Sequence, residues 1–289
     1  MSSLSLNLAF RYLKSNRGGV FSFTSFLAIL GLSIGVSSLI IVMSVMNGFE
    51  RELQDRILGV VPHAVIKSDS TINNYQLLVD NINKLDNIKS SSPYIELQGL
   101  ASSGSGGRGV SIIGIDEDIE PSMSILPDYM VIGSLDNLKE DSSIIIGTWL
   151  AAHLDVGIGD TLNITTSDIK TTIIGSFPQS LKVKIVGMYE LRSELDQSLV
   201  LISHKLAQKI KMIGENTTSS IRIKTDDLFS ADTIARDVIK SIDGDLLNGN
   251  FFEIITWKTT HGTLFEAIKF EKLLISLMLF LIIGVASIL

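Results

Sequence analysis

The chain has no cysteine among its 289 residues. This absence excludes disulfide bridges, thiol chemistry and cysteine-ligated metal sites. Its histidines have no metal-ligand spacing, so we predict neither a metal site nor a cofactor; they are His63, His153, His204 and His261. The G-x-x-x-x-G-K-[ST] pattern of a phosphate-binding loop is also missing. We therefore predict that the chain is not an enzyme, that it has no catalytic residue, and that any ATP chemistry comes from a partner.

Charge is absent from two long stretches. Residues 20–46 contain no charged side chain, whereas a helix needs only about 20 apolar residues to cross a bilayer. A second charge-free stretch, residues 273–289, runs to the last residue of the sequence. We predict a first transmembrane helix over 20–46 and a second, truncated one over 273–289. A cleavable signal peptide is disfavoured, because its apolar core is only about 7 to 15 residues long.

Acidic residues are missing from the first 46 positions. Arg11, Lys14 and Arg17 give this part +3, so the remainder carries −10 in a chain of net charge −7. The three cations precede the first predicted span, which by the positive-inside rule puts residues 1–19 in the cytoplasm as an interfacial segment. The region between the spans is then extracytoplasmic, and its acidity implies no nucleic-acid partner.

The helical pattern continues beyond the first span. Phe49, Leu53, Ile57 and Val60 form one apolar stripe at spacings of 4, 4 and 3. Opposite charges at i,i+4 support the helix; they are Glu52 with Arg56 and Arg51 with Asp55. We predict a stalk helix over 47–61, ended by Pro62, and a second stalk over 263–272.

Within the first span, Gly31 and Gly35 form a small-xxx-small pair. Such residues let another helix approach closely, so we predict that this pair packs against a neighbouring helix.

Residues 62–262 have ordinary globular composition and read as one α+β domain. Short apolar runs predict strands, and periods of three to four predict helices. The predicted strands are 63–67, 94–100, 110–115, 144–146, 162–165, 181–189, 198–202, 220–224 and 252–257. The predicted helices are 74–85, 147–154, 205–212 and 231–242.

Two sequence features favour structural roles. Gly104 to Gly109 spell G-x-G-x-x-G, but a strand follows instead of the helix that a dinucleotide site requires, so we predict a flexible hairpin loop. The acidic cluster Asp116, Glu117, Asp118 and Glu120 lacks the spacing of a calcium loop and is predicted to be solvated.

The segment 171–180, TTIIGSFPQS, is an apolar, hairpin-like excursion with Gly175 and Pro178 at its predicted tip. Two interpretations follow from its composition. Exposed Ile173, Ile174 and Phe177 would make it an apolar protrusion, whereas a hairpin folded back on its own domain would not protrude.

Four segments resemble the LolC/LolE family of membrane subunits of lipoprotein-releasing ABC transporters. They are FRYLKSNR, ILGLSIGVSSLIIVMSVMNGFERELQDRILGVVPH, GVSIIGID and EKLLISLMLFLIIGVAS. The resemblance covers the whole chain. It implies a membrane protein with a MacB-like α+β periplasmic domain between two membrane helices, located in the bacterial inner membrane.

The resemblance also implies partners. They are a LolD-like ATPase subunit, a second LolC/LolE-like permease subunit or a second copy of this chain, the periplasmic chaperone LolA, acylated lipoprotein cargo and membrane lipid. A hook that binds the chaperone falls on Gly175, Ser176, Phe177, Pro178, Gln179 and Ser180. The apolar side chains that line the stalks, or a lipoprotein path along them, are Met43, Met46, Phe49, Leu53, Ile57, Leu264 and Ile268.

One departure from the family pattern leaves alternatives open. Family members continue through two more spans, whereas this sequence stops at Leu289. The chain is expected to be a permease subunit or its N-terminal portion. A two-span sensor fragment and another MacB/FtsX-type permease are the alternatives.

Overall fold

The computed structural model describes residues 23–172, 175–241 and 251–288. The predicted cytoplasmic segment 1–19 and the start of the first span lie outside these residues. The chain divides into two compact units. The first, a helical unit, comprises residues up to Arg51 together with those from Leu264, and the second is the domain Glu52–Thr263.

The structure contains ten strands and seven α-helices among the described residues. The helices are α1 (Phe23–Leu53), α2 (Tyr75–Ile82), α3 (Glu120–Met123), α4 (Thr148–His153), α5 (His204–Lys211), α6 (Ala231–Ser241) and α7 (Trp257–Ile288). The strands are β1 (Ala64–Asn73), β2 (Ile88–Ser103), β3 (Gly106–Ile115), β4 (Met130–Ile132), β5 (Ser143–Gly147), β6 (Thr161–Thr172), β7 (Gly175–Tyr189), β8 (Leu199–Ser203), β9 (Thr217–Thr225) and β10 (Phe252–Thr256). The predicted elements are confirmed with shifted ends, and β4 and α3 were missed because both are very short.

Helix α1 does not continue as an α-helix to Pro62. Gln54–Leu58 form a π-helical turn, and a tight turn follows at Gly59. A Cβ atom at Gly59 would lie 2.4 Å from the carbonyl oxygen of Asp55, so only glycine fits this close approach. The predicted α-helical stalk is therefore shorter than the sequence pattern indicated.

The residues at the end of the predicted stalk belong to the domain. Ile57 and Val60 are 2% and 7% exposed, and Val60 joins a core cluster with Tyr189 and Leu191. Burial of these side chains favours the turn over a longer free helix.

Arg56 fixes this turn to the domain. Its Nε lies 2.5 Å from Glu52 Oε1, as the i,i+4 pattern predicted, and its Nη1 donates a 2.6 Å hydrogen bond to the carbonyl of Leu191. The predicted pair between Arg51 and Asp55 is not among the salt bridges of the described residues.

Strand β2 is shared between two parts of one sheet. Its first half pairs with β9 from Ile88 to Tyr94, and its second half pairs with β3 from Ile95 to Ser103. On one side the order is β10-β1-β9-β2. On the other side, successive pairing of neighbouring strands leads from β2 back to β2. The pairs are β2-β3, β3-β8, β8-β5, β5-β7, β7-β6 and β6-β2. The six strands thus form a closed ring.

Successive side chains of a strand point to opposite faces of the sheet and so enter separate hydrophobic cores. In β8, Val200 and Ile202 belong to one cluster with α4 and α5, whereas Leu199 and Leu201 belong to a second. The third cluster joins β1 and β9 to α2 and α6. Apolar residues on both faces of the strands explain why their sequences read as continuous apolar runs.

A buried ion pair lies at the junction of the two sheet parts. The Arg222 guanidinium of β9 forms a bidentate pair with Glu120 of α3, and the two side chains are 4% and 0% exposed. Arg222 Nε also donates to Ser92 Oγ of β2 at 2.7 Å. The prediction that Glu120 is solvated is wrong, because Arg222, 102 positions later, supplies its counter-charge. Asp118, in the same cluster, is exposed and pairs with Lys139.

The glycine-rich segment is a hairpin, as predicted, but its loop is shorter. Ser103 pairs with Gly106, so Gly104 and Ser105 alone form the turn. Gly106 to Gly109 belong to β3.

We expect Arg222→Met to lower the free energy of unfolding by about 3–5 kcal/mol, because it leaves the Glu120 carboxylate buried without a partner. The measurement is guanidinium-induced unfolding of the full chain in detergent. The matched control is Arg236→Met, whose ion pair with Asp232 is exposed and contributes about 1 kcal/mol or less. Equal losses in the two variants would contradict the role of the buried pair.

We also expect the unfolding temperature to fall as the pH is lowered from about 6.5 towards about 4. Burial lowers the pKa of His204, and with Lys224 and Lys89 that of His63, to about 4 from 6.5. The unfolded chain binds these protons first, so protonation favours unfolding in this window. The His204→Phe variant, compared with the natural chain, should have a shallower pH dependence; an identical dependence would contradict the contribution of His204.

Candidate functional site

Helix α1 has the length and apolar character of a membrane span. Among the described residues, Ile29–Leu58 is the one helical stretch that meets these requirements, and its apolar part is not buried in the chain. Side chains such as Ile29, Ile34 and Ile41 are more than 60% exposed. A surface of this kind is stable against lipid but not against water. The second predicted span lies in α7, and it stays a prediction.

Helices α1 and α7 contact one another along a line of three positions. At one end, Lys272 Nζ donates a hydrogen bond to Glu50 Oε2 at 2.6 Å. In the middle, Ser276 Oγ donates to Met43 Sδ at 3.4 Å. Further along, a Cβ atom at Gly35 would lie 3.9 Å from Ile283. We call this line of contacts the helix seam.

The two predicted packing glycines have different surroundings. Gly35 lies in the helix seam, whereas no heavy atom would lie within 4 Å of a Cβ atom at Gly31. Gly31 therefore has no close neighbour among the described residues.

The hairpin of β6 and β7 extends beyond the rest of the sheet. β6 pairs with β2 from Asn163 to Thr166, and Ser167 Oγ donates to the carbonyl of Gln98. Farther along, β6 and β7 pair only with each other within the described residues, up to Thr172 opposite Gly175.

The hairpin backbone corrects the predicted tip. Gly175 and Pro178 lie in β7, opposite Thr172 and Ile169, and not at the turn. Residues 173 and 174, and the side chains of Gly175, Ser176, Phe177 and Pro178, lie outside the described part. The side chains of Gln179 and Ser180 are described, and they are half-buried and exposed, respectively.

The residues predicted to line a stalk path do not share one environment. Phe49 is 54% exposed and Leu264 36%, whereas Ile57 and Ile268 are 2% and 6% exposed. Met43 and Met46 are half-buried, and the side chain of Leu53 lies outside the described residues.

A cleft of about 380 Å³ lies in the domain, on the sheet face opposite α2 and α6. Its lining is mainly apolar, with Val61, Val65 and Ile255 among the contributors. Gln98, at the base of the β6–β7 hairpin, lines it as well. His261 lines another part, and burial lowers the pKa of its imidazole, which favours the neutral form. A volume of this size is within the range of small-molecule sites.

No cluster of three or more His, Cys, Asp or Glu that could hold a metal ion occurs among the described residues.

The sequence pattern anticipated the hairpin and the helices, but not the Glu50–Lys272 pair. These two residues are 222 positions apart, and a pairing at that separation leaves no local periodic signal.

A long helix with an exposed apolar surface, in a chain that also contains one mixed α+β domain, is consistent with a membrane protein. The family described as MacB-like periplasmic core domain matches residues 25–241. With the relatives below, this match shows that the chain belongs to the LolC/LolE family of MacB-like transmembrane proteins.

Curated relatives match nearly the whole chain. The lipoprotein-releasing system transmembrane protein LolC of Xylella fastidiosa (strain 9a5c) is 29% identical over 98% of this chain and 68% of the relative. LolC of Buchnera aphidicola subsp. Acyrthosiphon pisum is 30% identical over 96% and 67%. LolE of Haemophilus influenzae is 28% identical over 89% and 62%. The chain thus spans about two thirds of the length of these relatives.

Solved structures also align with the chain. The periplasmic region of MacB from Actinobacillus actinomycetemcomitans has a TM-score of 0.45 and 13% identity, covering 74% of this chain and 97% of that one. The extracellular domain of the transporter YknZ from Gram-positive bacteria has a TM-score of 0.43 and 11% identity, covering 67% and 98%.

We expect Gly35→Leu to weaken the helix seam by about 1–3 kcal/mol, because a larger side chain is forced against Ile283. Gly31→Leu is the matched control, since its side chain enters open space. The chain has no natural cysteine, so disulfide formation between Met43→Cys and Ser276→Cys reports on the seam alone. Gly35→Leu should reduce the yield of this disulfide several-fold and Gly31→Leu should not; the opposite order would show that the seam lies on another face.

Proposed function

We propose that the chain is a permease subunit, or the N-terminal portion of one, in an ABC transporter that releases acylated lipoproteins from the inner membrane. The observation that carries this proposal is the match to curated LolC proteins over 96–98% of the chain, including both long helices. A two-span receptor is disfavoured, because these relatives are named as transmembrane proteins of the lipoprotein-releasing system.

The physical demands of lipoprotein release agree with a protein that has no bond-making site. Three acyl chains of about 16 carbons, at about 0.8 kcal/mol per CH₂, would cost on the order of 30–40 kcal/mol to expose to water. The acyl chains must therefore pass between apolar surfaces. Exposed side chains on α1, such as Phe49, form a surface of the required kind.

The energy for release comes from a partner in this proposal. The sequence contains no phosphate-binding loop, so a separate LolD-like subunit would bind and hydrolyse ATP on the cytoplasmic side. A second LolC/LolE-like subunit, or a second copy of this chain, would complete the membrane part. Helices α1 and α7 are each more than 30 residues long, and helices of this length transmit displacement better than a flexible linker.

The β6–β7 hairpin is the proposed hook that binds the chaperone LolA. Beyond Thr166 and Gln179 its strands pair only with each other in the described part of the sheet, so their outer edges keep backbone groups available to a partner. A hairpin with open edges can bind another protein by strand pairing and by its side chains. The hook comprises Gly175, Ser176, Phe177, Pro178, Gln179 and Ser180.

We expect photocrosslinkers at Phe177 and at Gln179 to capture LolA when the intact transporter releases lipoprotein. The matched control is Val131 on β4, which is 54% exposed and apolar. Strand β4 pairs with β7 at Met188 and Tyr189, at the opposite end of β7 from Phe177. The crosslinked products are identified by immunoblot and mass spectrometry. Capture at Val131 without capture at Phe177 or Gln179 would refute the hook assignment.

A further inference from the structure

The Glu50–Lys272 pair differs from the other surface ion pairs of the chain. Lys272 Nζ lies 2.6 Å from Glu50 Oε2, and the two side chains are only 21% and 16% exposed. By contrast, the i,i+4 pair Arg236–Asp232 is 62% and 44% exposed. A pair so removed from water is not a chance surface contact.

The position of the pair in the sequence locates it at one end of both apolar stretches. Glu50 follows the charge-free stretch 20–46 by four residues, about one helical turn. Lys272 directly precedes the charge-free stretch 273–289. By the positive-inside rule, this end of α1 is the extracytoplasmic end. The pair therefore lies where the seam between the two helices meets the extracytoplasmic surface of the membrane.

The seam changes character along its length. Its deeper positions, Gly35 with Ile283 and Met43 with Ser276, are apolar or weakly polar. Its outer end is closed by two opposite charges, and no second salt bridge joins α1 and α7 within the described residues. The flanking charged residues Arg51 and Glu271 are exposed.

An ion pair is suited to a contact that opens and closes. The attraction between two partly buried charges is largely offset by the cost of taking them out of water. At the membrane surface, water and lipid headgroups can solvate both charges once they separate. An apolar contact at this position would instead be exposed to water when it opened, at a cost proportional to its area.

We propose that Glu50 and Lys272 form a latch that closes the outer end of the helix seam and must open for an acylated substrate to leave the membrane. The inference rests on the proposed function of the chain in lipoprotein release. Both residues act as positioning residues, because they set the separation of the helices and no reacting atom is assigned to them.

Charge reversal tests the pair itself. Glu50→Lys places two cations together, so the seam cannot close again after each opening. Release of triacylated lipoprotein from proteoliposomes of the complete transporter should then fall about tenfold or more, which corresponds to 1.4 kcal/mol or more. The double variant Glu50→Lys/Lys272→Glu restores the opposite charges and should recover release to within about threefold. Wild-type release by the single variant, or failure of the double variant to recover, would overturn the latch.

A covalent crosslink across the pair tests whether this contact must open during release or stays closed throughout. The variant Glu50→Cys/Lys272→Cys would be joined by a short bifunctional thiosulfonate, because two positions paired through long Glu and Lys side chains are too far apart for a direct disulfide. The locked transporter should release lipoprotein at least about tenfold more slowly and recover after reduction. The control pair Arg51→Cys/Glu271→Cys, at two exposed flanking positions outside the latch, should crosslink poorly and release normally.

These experiments distinguish failure of the latch from failure of the proposed function. If the locked transporter releases lipoprotein at the wild-type rate, the latch is wrong and the proposed function stands. If the unmodified transporter shows no ATP-dependent release in the same proteoliposomes, the proposed function itself is refuted.

Discussion

A charged guanidinium buried in a protein interior is tolerated only beside an opposite charge, and this constraint holds the domain together. Arg222 and Glu120 are both nearly inaccessible to water. Arg222 belongs to β9 and also binds Ser92 of β2, whereas Glu120 begins α3 after β3. The pair therefore connects the open part of the sheet to the closed ring at the strand they share. Lys224 Nζ, which donates to the carbonyl of Ser122, and Gln208 Nε2, which donates to the carbonyl of Thr217, add further links between the two parts.

The domain holds its own first and last residues by specific contacts. The last residues of the π-helical turn after α1 are buried in the domain, and Arg56 binds the carbonyl of Leu191. The strand β10 leads directly into α7 at Trp257, whose indole donates to the carbonyl of Leu228. The first and last residues of the domain are thus held within it by burial and hydrogen bonds.

Much of the architecture follows from local signals. Two charge-free stretches, alternating apolar strands and the basic N-terminal segment predicted a membrane protein with one α+β domain. The glycine-rich segment was correctly assigned to a hairpin, because a strand and not a helix follows it. The β6–β7 hairpin was also anticipated, although Gly175 and Pro178, predicted at its tip, pair within β7 opposite Thr172 and Ile169. Hydrophobic periodicity locates strands well but does not determine the register of a hairpin.

The sequence by itself determined which segments are apolar, where the helices and strands lie, and that no phosphate-binding loop or cysteine chemistry is present. Only the tertiary structure decided which charges meet. Glu120 appeared solvated among acidic neighbours, and Glu50 resembled any other charge on an amphipathic helix. Their partners, Arg222 and Lys272, are 102 and 222 residues away. Hydrophobic periodicity reports which face of a helix or strand a residue lies on. An ion pair depends instead on the distance between two charges in space, which only the folded chain defines.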